Sequence, residues 1–486
     1  MSKMHSAFIQ EQKRYSQSEL RSLFNLNEEK TVGILRKLKE YGVVKIVKKT
    51  DGQRDLTDLQ DTDIEVSTVN NNADDFYYVF TFVGVVIVMG IILKCYPKYI
   101  FSSQEPINEL KLVVKTLEKY SHSRGELVKM YNDSNDSSSY NMLAVILYLI
   151  TDYHENGVYS KEDVIIESNG MGEILWDRTI NDTFALISRN RPYYSELKTY
   201  KEVDDEYDYF KRLHECILTK CSRELISTDL TSIFEDISPV DLTDECVEDF
   251  GEKDYVLYRI EQELNVQFNT HKQIILKILY TYISQSSSLA DVDCFSMFGT
   301  NSFAQIWEDI CQSILDDKLQ KKLRDIPLPS PLKTIYNADD KLIDVIEKPK
   351  WKESSLGTPL ETETLIPDII SIQGNKFMIF DAKYYVLRMV ENVSISGQPG
   401  IESITKQYLY QLAYKKFIVD HDFNIIRNCF LMPTEDQNVI NKGIVYMDML
   451  SSLGLEPIQV RLIPARKVYN LYITNKKLDL NELEIF

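Results

Sequence analysis

The chain has 486 residues, 44% of them hydrophobic, and 55 Lys and Arg against 74 Asp and Glu give it a net charge of −19. That length exceeds one ordinary core, so roughly two to four domains are expected, and 17 Gly with 14 Pro exclude a low-complexity or disordered chain. Seven cysteines without a Cys-x-x-Cys pair, and no leader-like segment ahead of them, argue against a disulfide scaffold and for a cytoplasmic protein with reduced thiols.

The charge is uneven. Residues 1–50 carry 11 Lys and Arg against 5 Asp and Glu, residues 351–486 carry 14 against 16, and the stretch between them has a net charge of −23. A basic head and a near-neutral tail are compatible with phosphate contacts. The acidic middle repels a duplex and is expected to face a protein partner or solvent. Strong DNA binding by the chain alone is not expected.

The amino-terminal head spans 1–50. Residues 16–24 read as a short capped helix, Asn25-Leu26-Asn27 as a turn, and 28–41 as a second helix with Val32, Leu35, Leu38 and Tyr41 on its apolar face. Residues 42–49 alternate like a strand. Helix, turn, helix and strand with a basic exterior read as a winged-helix-like head. Arg36, Lys37 and Lys39 are candidates for phosphate contact, with protein docking as the alternative.

Residues 51–76 are polar and acidic, as in a linker. The apolar run 76–96 is long enough for a bilayer-spanning helix, which needs about 20 residues. It is dense in β-branched and aromatic residues, Met89-Gly90 divides it, and Pro97 ends it. Two buried strands about a turn are therefore expected, with a membrane-anchored effector as the rival. An amphipathic helix at 105–121, a polar loop at 132–139 and an apolar helix at 141–154 follow. Residues 164–167 and 173–180 read as strands meeting at a turn about Asn169-Gly170. These elements make 51–185 a β-rich domain, and 186–290 an acidic helical region with solvated carboxylate runs. His214, Cys216 and Cys221 stand close together, but no second ligand pair accompanies them, so no zinc site is expected. No Gly-x-x-x-x-Gly-Lys-Ser/Thr loop occurs, so no nucleotide is expected on this chain.

The last domain, 291–486, carries the chemistry. Asn301 or Ser302 caps a helix with Phe303, Ile306, Trp307, Ile310 and Ile314 at helical spacing. Further on, 367–373 and 376–382 are strand-like runs about the turn dipeptide Gly374-Asn375. A hairpin there brings Asp368, at the start of one strand, close to Asp381, at the end of the other. Two converging carboxylates hold a hard divalent cation such as Mg²⁺ or Mn²⁺. Lys383 points to the same side as Asp381, because side chains alternate with period two. A lysine so placed can orient, or help deprotonate, a metal-bound water that attacks a phosphodiester. Residues 406–414 read as a helix with Gln407 and Gln411 four apart on one face. Residues 425–431, 443–449 and 458–463 are strand-like, and a terminal helix or strand covers 464–474.

Pro-Asp, a hairpin and then Asp-x-Lys resemble the signature of the PD-(D/E)XK nucleases. The version here, Pro367-Asp368-Ile369-Ile370 followed by Ile379-Phe380-Asp381-Ala382-Lys383-Tyr384-Tyr385, is similar to the nuclease subunits of McrC-like and LlaJI-type restriction systems. The segments Phe82-Val83-Gly84 and Tyr96-Pro97-Lys98, and the pattern Gly172-x-Ile174-x-Trp176-x-Arg178-Thr179-Ile180, also resemble that family. The resemblance implies an α/β restriction-endonuclease-like domain over 291–486 and a DNA endonuclease acting in phage defence. It implies that an acid on the preceding helix, here Glu308, completes the metal site, with a solvated glutamate as the alternative. The Ala382 carbonyl joins Asp368 and Asp381 as a ligand. A glutamine on the later helix, Gln407 or Gln411, contacts the DNA backbone. The usual Gln-x-x-x-Tyr spacing is absent, which leaves open which of the two acts. The resemblance further implies a McrB-like AAA+ GTPase partner docked on residues 51–185, double-stranded DNA as substrate and homodimerisation through the nuclease domain. A non-catalytic scaffold that regulates a motor is the alternative.

Overall fold

The computed structural model describes residues 4–48, 76–123, 141–160, 162–204, 208–235, 237–285, 288–291, 294–351, 360–390 and 394–485. The expected linker after residue 50 and the polar loop at 132–139 lie outside these residues. The chain divides into two units, one built mainly from 138–296 and the other from 5–127 with 297–486. Both mix helices and strands, so the chain is a mixed α and β multidomain protein.

The second unit begins with β1 (His5–Gln10), β2 (Arg14–Tyr15), α1 (Gln17–Phe24), α2 (Glu28–Glu40) and β3 (Val44–Lys48). Ser16 caps α1 through the Glu19 N–H, and the Glu19 carboxylate answers the Ser16 N–H, a reciprocal capping box. Asn27 caps α2 through the Lys30 N–H. The apolar run that follows folds into three strands, β4 (Phe76–Phe80), β5 (Val83–Val88) and β6 (Ile91–Tyr96). Met89 and Gly90 both take positive φ between the last two, as a tight hairpin requires. Every residue of β5 and β6 is buried, because they lie inside a sheet of order β1-β6-β5-β11. Burial on both faces explains why the run is apolar without alternation. Among the described residues no helix is long and apolar enough to cross a membrane. The amphipathic helix α3 (Ile107–Ser123) follows.

The first unit holds α4 (Met142–Asn156), β7 (Glu162–Ser168), α5 (Trp176–Asp182), β8 (Ala185–Ser188), β9 (Arg191–Tyr194), β10 (Lys198–Asp204), α6 (Tyr209–Ser227), α7 (Lys253–Val266) and α8 (Thr270–Gln285). β7 pairs antiparallel with β10. The expectation of a strand at 173–180 is corrected here: Trp176 to Asp182 is helical. Thr179 is buried and its hydroxyl receives the Lys198 N–H at 2.9 Å, so a tertiary anchor overrides the β propensity of Trp, Thr and Ile.

The chain returns through β11 (Phe295–Thr300) and α9 (Phe303–Ile314), and then the short ladder β12 (Lys350–Trp351) with β13 (Leu360–Glu361). A Cβ on Gly84 would stand 2.1 Å from the Phe298 carbonyl oxygen, and one on Gly299 would stand 2.2 Å from that of Val83. The backbones of β5 and β11 therefore approach only because both residues lack a side chain. The remaining elements are β14 (Ile369–Gln373), β15 (Lys376–Ala382), β16 (Arg388–Val390), β17 (Ser394–Ser396), α10 (Ile401–Asp420), β18 (Ile425–Thr434), β19 (Ile440–Val445), α11 (Asp448–Ser451), β20 (Ile458–Pro464) and α12 (Ala465–Ile473). β19 ends at Val445, short of the expected 449, and 465–473 is a helix. The main sheet has the order β14-β15-β18-β20-β19, with β15, β18 and β20 parallel. Phe377 and Ile379 of β15 pack against Tyr414, Phe417 and Ile418 of α10.

Candidate active site

The hairpin brings Asp368 and Asp381 together. Ile369 pairs with Phe380, so one step further along both strands sets Asp368 across from Asp381. Gly374 turns the chain at φ 59°, and a tight turn fixes that register. Asp381 continues the face of Phe377 and Ile379 and ends it as a buried acidic residue. Lys383, two residues on, places Nζ 2.7 Å from Asp381 Oδ1 and 4.0 Å from Asp368 Oδ2. Its own N–H donates to the Leu431 carbonyl at 2.8 Å. Buried Ala382 pairs with Leu431 in the same ladder.

β14 is an edge strand, and the segment after α9 covers its open side. The Asp317 carboxylate accepts the N–H groups of Ile370 at 2.8 Å and Leu319 at 3.1 Å. The Lys318 N–H reaches the Ile370 carbonyl at 2.7 Å, and the Ser371 hydroxyl donates to Leu315 O at 2.6 Å. Gln312 Nε2 lies 3.4 Å from the Asp368 carbonyl oxygen. Gln312 and Asp317 thus hold the backbone that carries Asp368. Sequence reading did not single them out, because their partners lie some 50 residues away.

The electrostatics follow from burial. Loss of water, then the neighbouring Asp368, raises the Asp381 carboxyl well above its usual range, with Lys383 offsetting part of the rise. Burial pulls the Lys383 ammonium down, but Asp381, Asp368 and Glu308 outweigh it and hold it above the ordinary lysine range. In the metal-free chain these acids therefore favour the charged form of Lys383. Glu308, on α9, is pushed up to about 7 by burial and by Asp368, against the pull of Lys383. Tyr410 is pushed up to about 12 by burial and by the two aspartates. It lies one helical turn beyond Gln407, and that spacing is the signal that could have marked it.

Gln407 and Gln411 are both buried on α10. Gln407 Nε2 donates to the Ile379 main-chain carbonyl at 3.3 Å, and the main-chain carbonyl of Gln407 accepts from Asn428 Nδ2 at 3.0 Å. Both Oε1 atoms are buried without a hydrogen-bond partner among the described residues. Tyr414 points elsewhere, its hydroxyl donating to Leu342 O at 3.1 Å.

Asp368 Oδ2 is likewise buried and without a hydrogen-bond partner among the described residues. Hard anionic oxygens of this kind, two from adjacent strands, fit a hard divalent cation. Among the described residues no group of three or more His, Cys, Asp or Glu side chains could hold a metal ion. Glu308 therefore stands within the electrostatic reach of the pair without forming a three-acid cluster with it. His214, in the first unit, uses Nδ1 to accept the Tyr159 N–H at 3.0 Å, a structural bond.

Comparison with known proteins gives this site a context. The chain is 26% identical over 418 residues, 83% of its own length and 83% of the relative's, to the type II restriction enzyme BsuMI component YdjA of Bacillus subtilis (strain 168). It is similar to a chain in the solved half-complex of a tetradecameric assembly of Thermococcus gammatolerans McrB AAA+ hexamers with bound McrC. There the identity is 12%, 97% of this chain and 99% of that chain are covered, and the TM-score is 0.35. A second solved structure, the Thermococcus gammatolerans McrBC complex, is similar at 14% identity over 63% of this chain and 85% of that chain, with a TM-score of 0.23. The family model described as LlaJI restriction endonuclease matches residues 82–337 and 330–463. With most of its length matched, the chain belongs to the LlaJI restriction endonuclease family.

Proposed function

We propose that this chain is the DNA-cutting subunit of a restriction system, hydrolysing phosphodiester bonds with Mg²⁺ or Mn²⁺ at a PD-(D/E)XK-type centre in residues 291–486. The observation that carries the reading is the convergence of Asp368, Asp381 and Lys383 at the end of β15. Held by Asp368, Asp381 and the Ala382 carbonyl, with Glu308 beside them, the cation would polarise the phosphate and lower the pKa of a water. In the metal-free chain the neighbouring acids hold Lys383 as an ammonium; with a divalent cation drawing on those acids, Lys383 would also be placed to help take the proton of the attacking water. It orients the attacking water and meets the negative charge that grows on the phosphoryl oxygens. Gln407 is committed to the Ile379 carbonyl, which leaves Gln411 to steady the DNA strand.

DNA recognition and movement belong, in this reading, to a McrB-like AAA+ GTPase partner, since the chain has no phosphate-cradling loop of its own. In the first unit, Phe184, Leu186, Ile187 and Tyr193, in and beside the β8–β9 hairpin, are exposed, which supports docking on another protein. We assign the 1–50 segment as the winged-helix-like head and the nuclease domain as the site of homodimerisation. The experiment that tests the whole reading is a plasmid cleavage assay with the neighbouring operon proteins. Mg²⁺, GTP and ATP are each added or withheld. Cleavage that needs Mg²⁺ and this chain supports the reading; cleavage by the other subunits without this chain refutes it.

A further inference from the structure

A buried polar knot joins the start of the chain to the residue that follows Lys383. Glu11, at the end of β1, is 5% exposed. Its carboxylate accepts the Tyr384 hydroxyl at 2.5 Å and the Lys98 N–H at 3.2 Å. The Glu11 N–H is itself tied to Tyr96 O at 2.9 Å, so the carboxylate sits on a fixed backbone. Lys98 Nζ lies over the Tyr384 ring, 4.6 Å from its centroid. Tyr384 meets Tyr99 and Phe303 edge-on, at 6.2 and 5.3 Å between centroids. Phe303 and Trp307, the latter adjacent to Glu308, both meet Tyr469 in the same way, and the Tyr469 and Tyr99 hydroxyls are 2.9 Å apart.

Such a cluster is expensive unless it serves orientation. Replacing buried polar groups by apolar side chains of the same volume is often neutral or stabilising, whereas a short hydrogen bond between fixed partners sets direction. Lys383 is held on one side by the ladder with Leu431. Tyr384, the next residue, is held from the opposite end of the chain.

We propose that Glu11 is a positioning residue of the nuclease centre: through its bond to Tyr384 it fixes the segment that carries Lys383 and keeps that ammonium aligned with Asp381. This inference rests on the nuclease reading. It also makes the residue that follows the amino-terminal strand part of the scaffold of the cutting site.

The test uses the complete restriction assembly, reconstituted with wild-type chain, Glu11→Met, Glu11→Gln, Tyr384→Phe, the Glu11→Met/Tyr384→Phe pair, or Asp381→Ala. Glu11→Met fills the same space without an acceptor; Glu11→Gln keeps the acceptor oxygen. Glu11→Met leaves the buried Tyr384 hydroxyl and Lys98 N–H without their acceptor and should lower the melting temperature. Glu11→Met and Tyr384→Phe should each slow single-turnover cleavage by the folded assembly about ten- to a hundredfold at unchanged Ca²⁺-supported DNA binding. The pair should be no slower than either alone, and Glu11→Gln should restore most of the rate. Acetylation of Lys383, followed by mass spectrometry, should quicken in Glu11→Met and Tyr384→Phe. Wild-type rates and wild-type Lys383 reactivity in both variants, in an assembly that Asp381→Ala inactivates, overturn the positioning role alone. Cleavage that survives Asp381→Ala overturns the nuclease reading and this inference with it.

Discussion

Lys383 Nζ lies 2.7 Å from Asp381 Oδ1, and the two side chains are 19% and 5% exposed. The pair is thus an ion pair set largely out of water, with the second carboxylate of Asp368 beside it. In the metal-free chain the ammonium offsets part of the repulsion between the two acids.

Replacing Lys383 with Met removes that cation and leaves the carboxylates uncompensated. The metal-free variant should lose on the order of 2 kcal/mol of stability, while saturating Mg²⁺ should restore most of the loss and raise its melting temperature more than it raises the wild type's. Calorimetric melting with and without Mg²⁺ checks this. Equal metal shifts in the two proteins would show that Lys383 and the cation do not share one site.

Asp317 braces β14 by accepting two backbone N–H groups. Asp317→Ala leaves both without a partner and should cost roughly 1–3 kcal/mol, with a fall in cleavage as Asp368 loses its fixed backbone. Asp317→Asn keeps an acceptor oxygen and should recover part of both. Denaturant melts alongside single-turnover rates separate brace from bystander.

The two glutamines of α10 should part company. Gln407→Ala removes the bond to the Ile379 carbonyl and should lower stability on the order of 1 kcal/mol, with little change in cleavage beyond that. Gln411→Ala empties a buried position and should lower cleavage about tenfold with a stability loss no larger than that of Gln407→Ala. A reversed pattern would assign the strand-steadying role to Gln407.

His214 is fully buried and burial depresses its pKa to about 3, with His271 adding to the effect. The unfolded chain binds a proton near the ordinary value of about 6.5, whereas the folded chain does so only near 3. Stability from this residue is therefore complete above the unfolded value and is lost as pH falls toward the folded one. The slope is at most about 1.4 kcal/mol per pH unit. His214→Asn keeps an acceptor for the Tyr159 N–H but cannot take the proton, so its stability should fall less steeply between pH 6 and pH 4, on the order of one proton's worth. Urea melts across that range measure the difference.

What could be read from sequence was local. The β14–β15 hairpin announces itself through a turn dipeptide between β-branched runs, and α9 and α10 through apolar spacing. The run at 76–96 resolves into strands because β-branched residues and a Met-Gly turn outweigh its length, although the structure divides it into three strands and not two. Residues 176–182 misled because their β-prone side chains are overridden by tertiary context, in which buried Thr179 receives the Lys198 N–H. At the site, Asp368, Asp381 and Lys383 meet as their spacing implies. Tyr410 was marked only by its spacing from Gln407, whereas Gln312, Asp317 and Glu11 were silent, since each gains its meaning from a partner distant in sequence. The fate of Gln407 is of the same kind: only packing of α10 on β15 turns its amide toward Ile379.

The most direct measurement is single-turnover cleavage of plasmid DNA by the complete assembly, with Mg²⁺ present or chelated, comparing wild-type chain with Asp381→Ala. The account predicts Mg²⁺-dependent double-strand breaks for the wild type and a loss of about a thousandfold or more for the variant, with folding and partner binding retained. Undiminished cutting by Asp381→Ala, or by the wild type without any divalent cation, would contradict it.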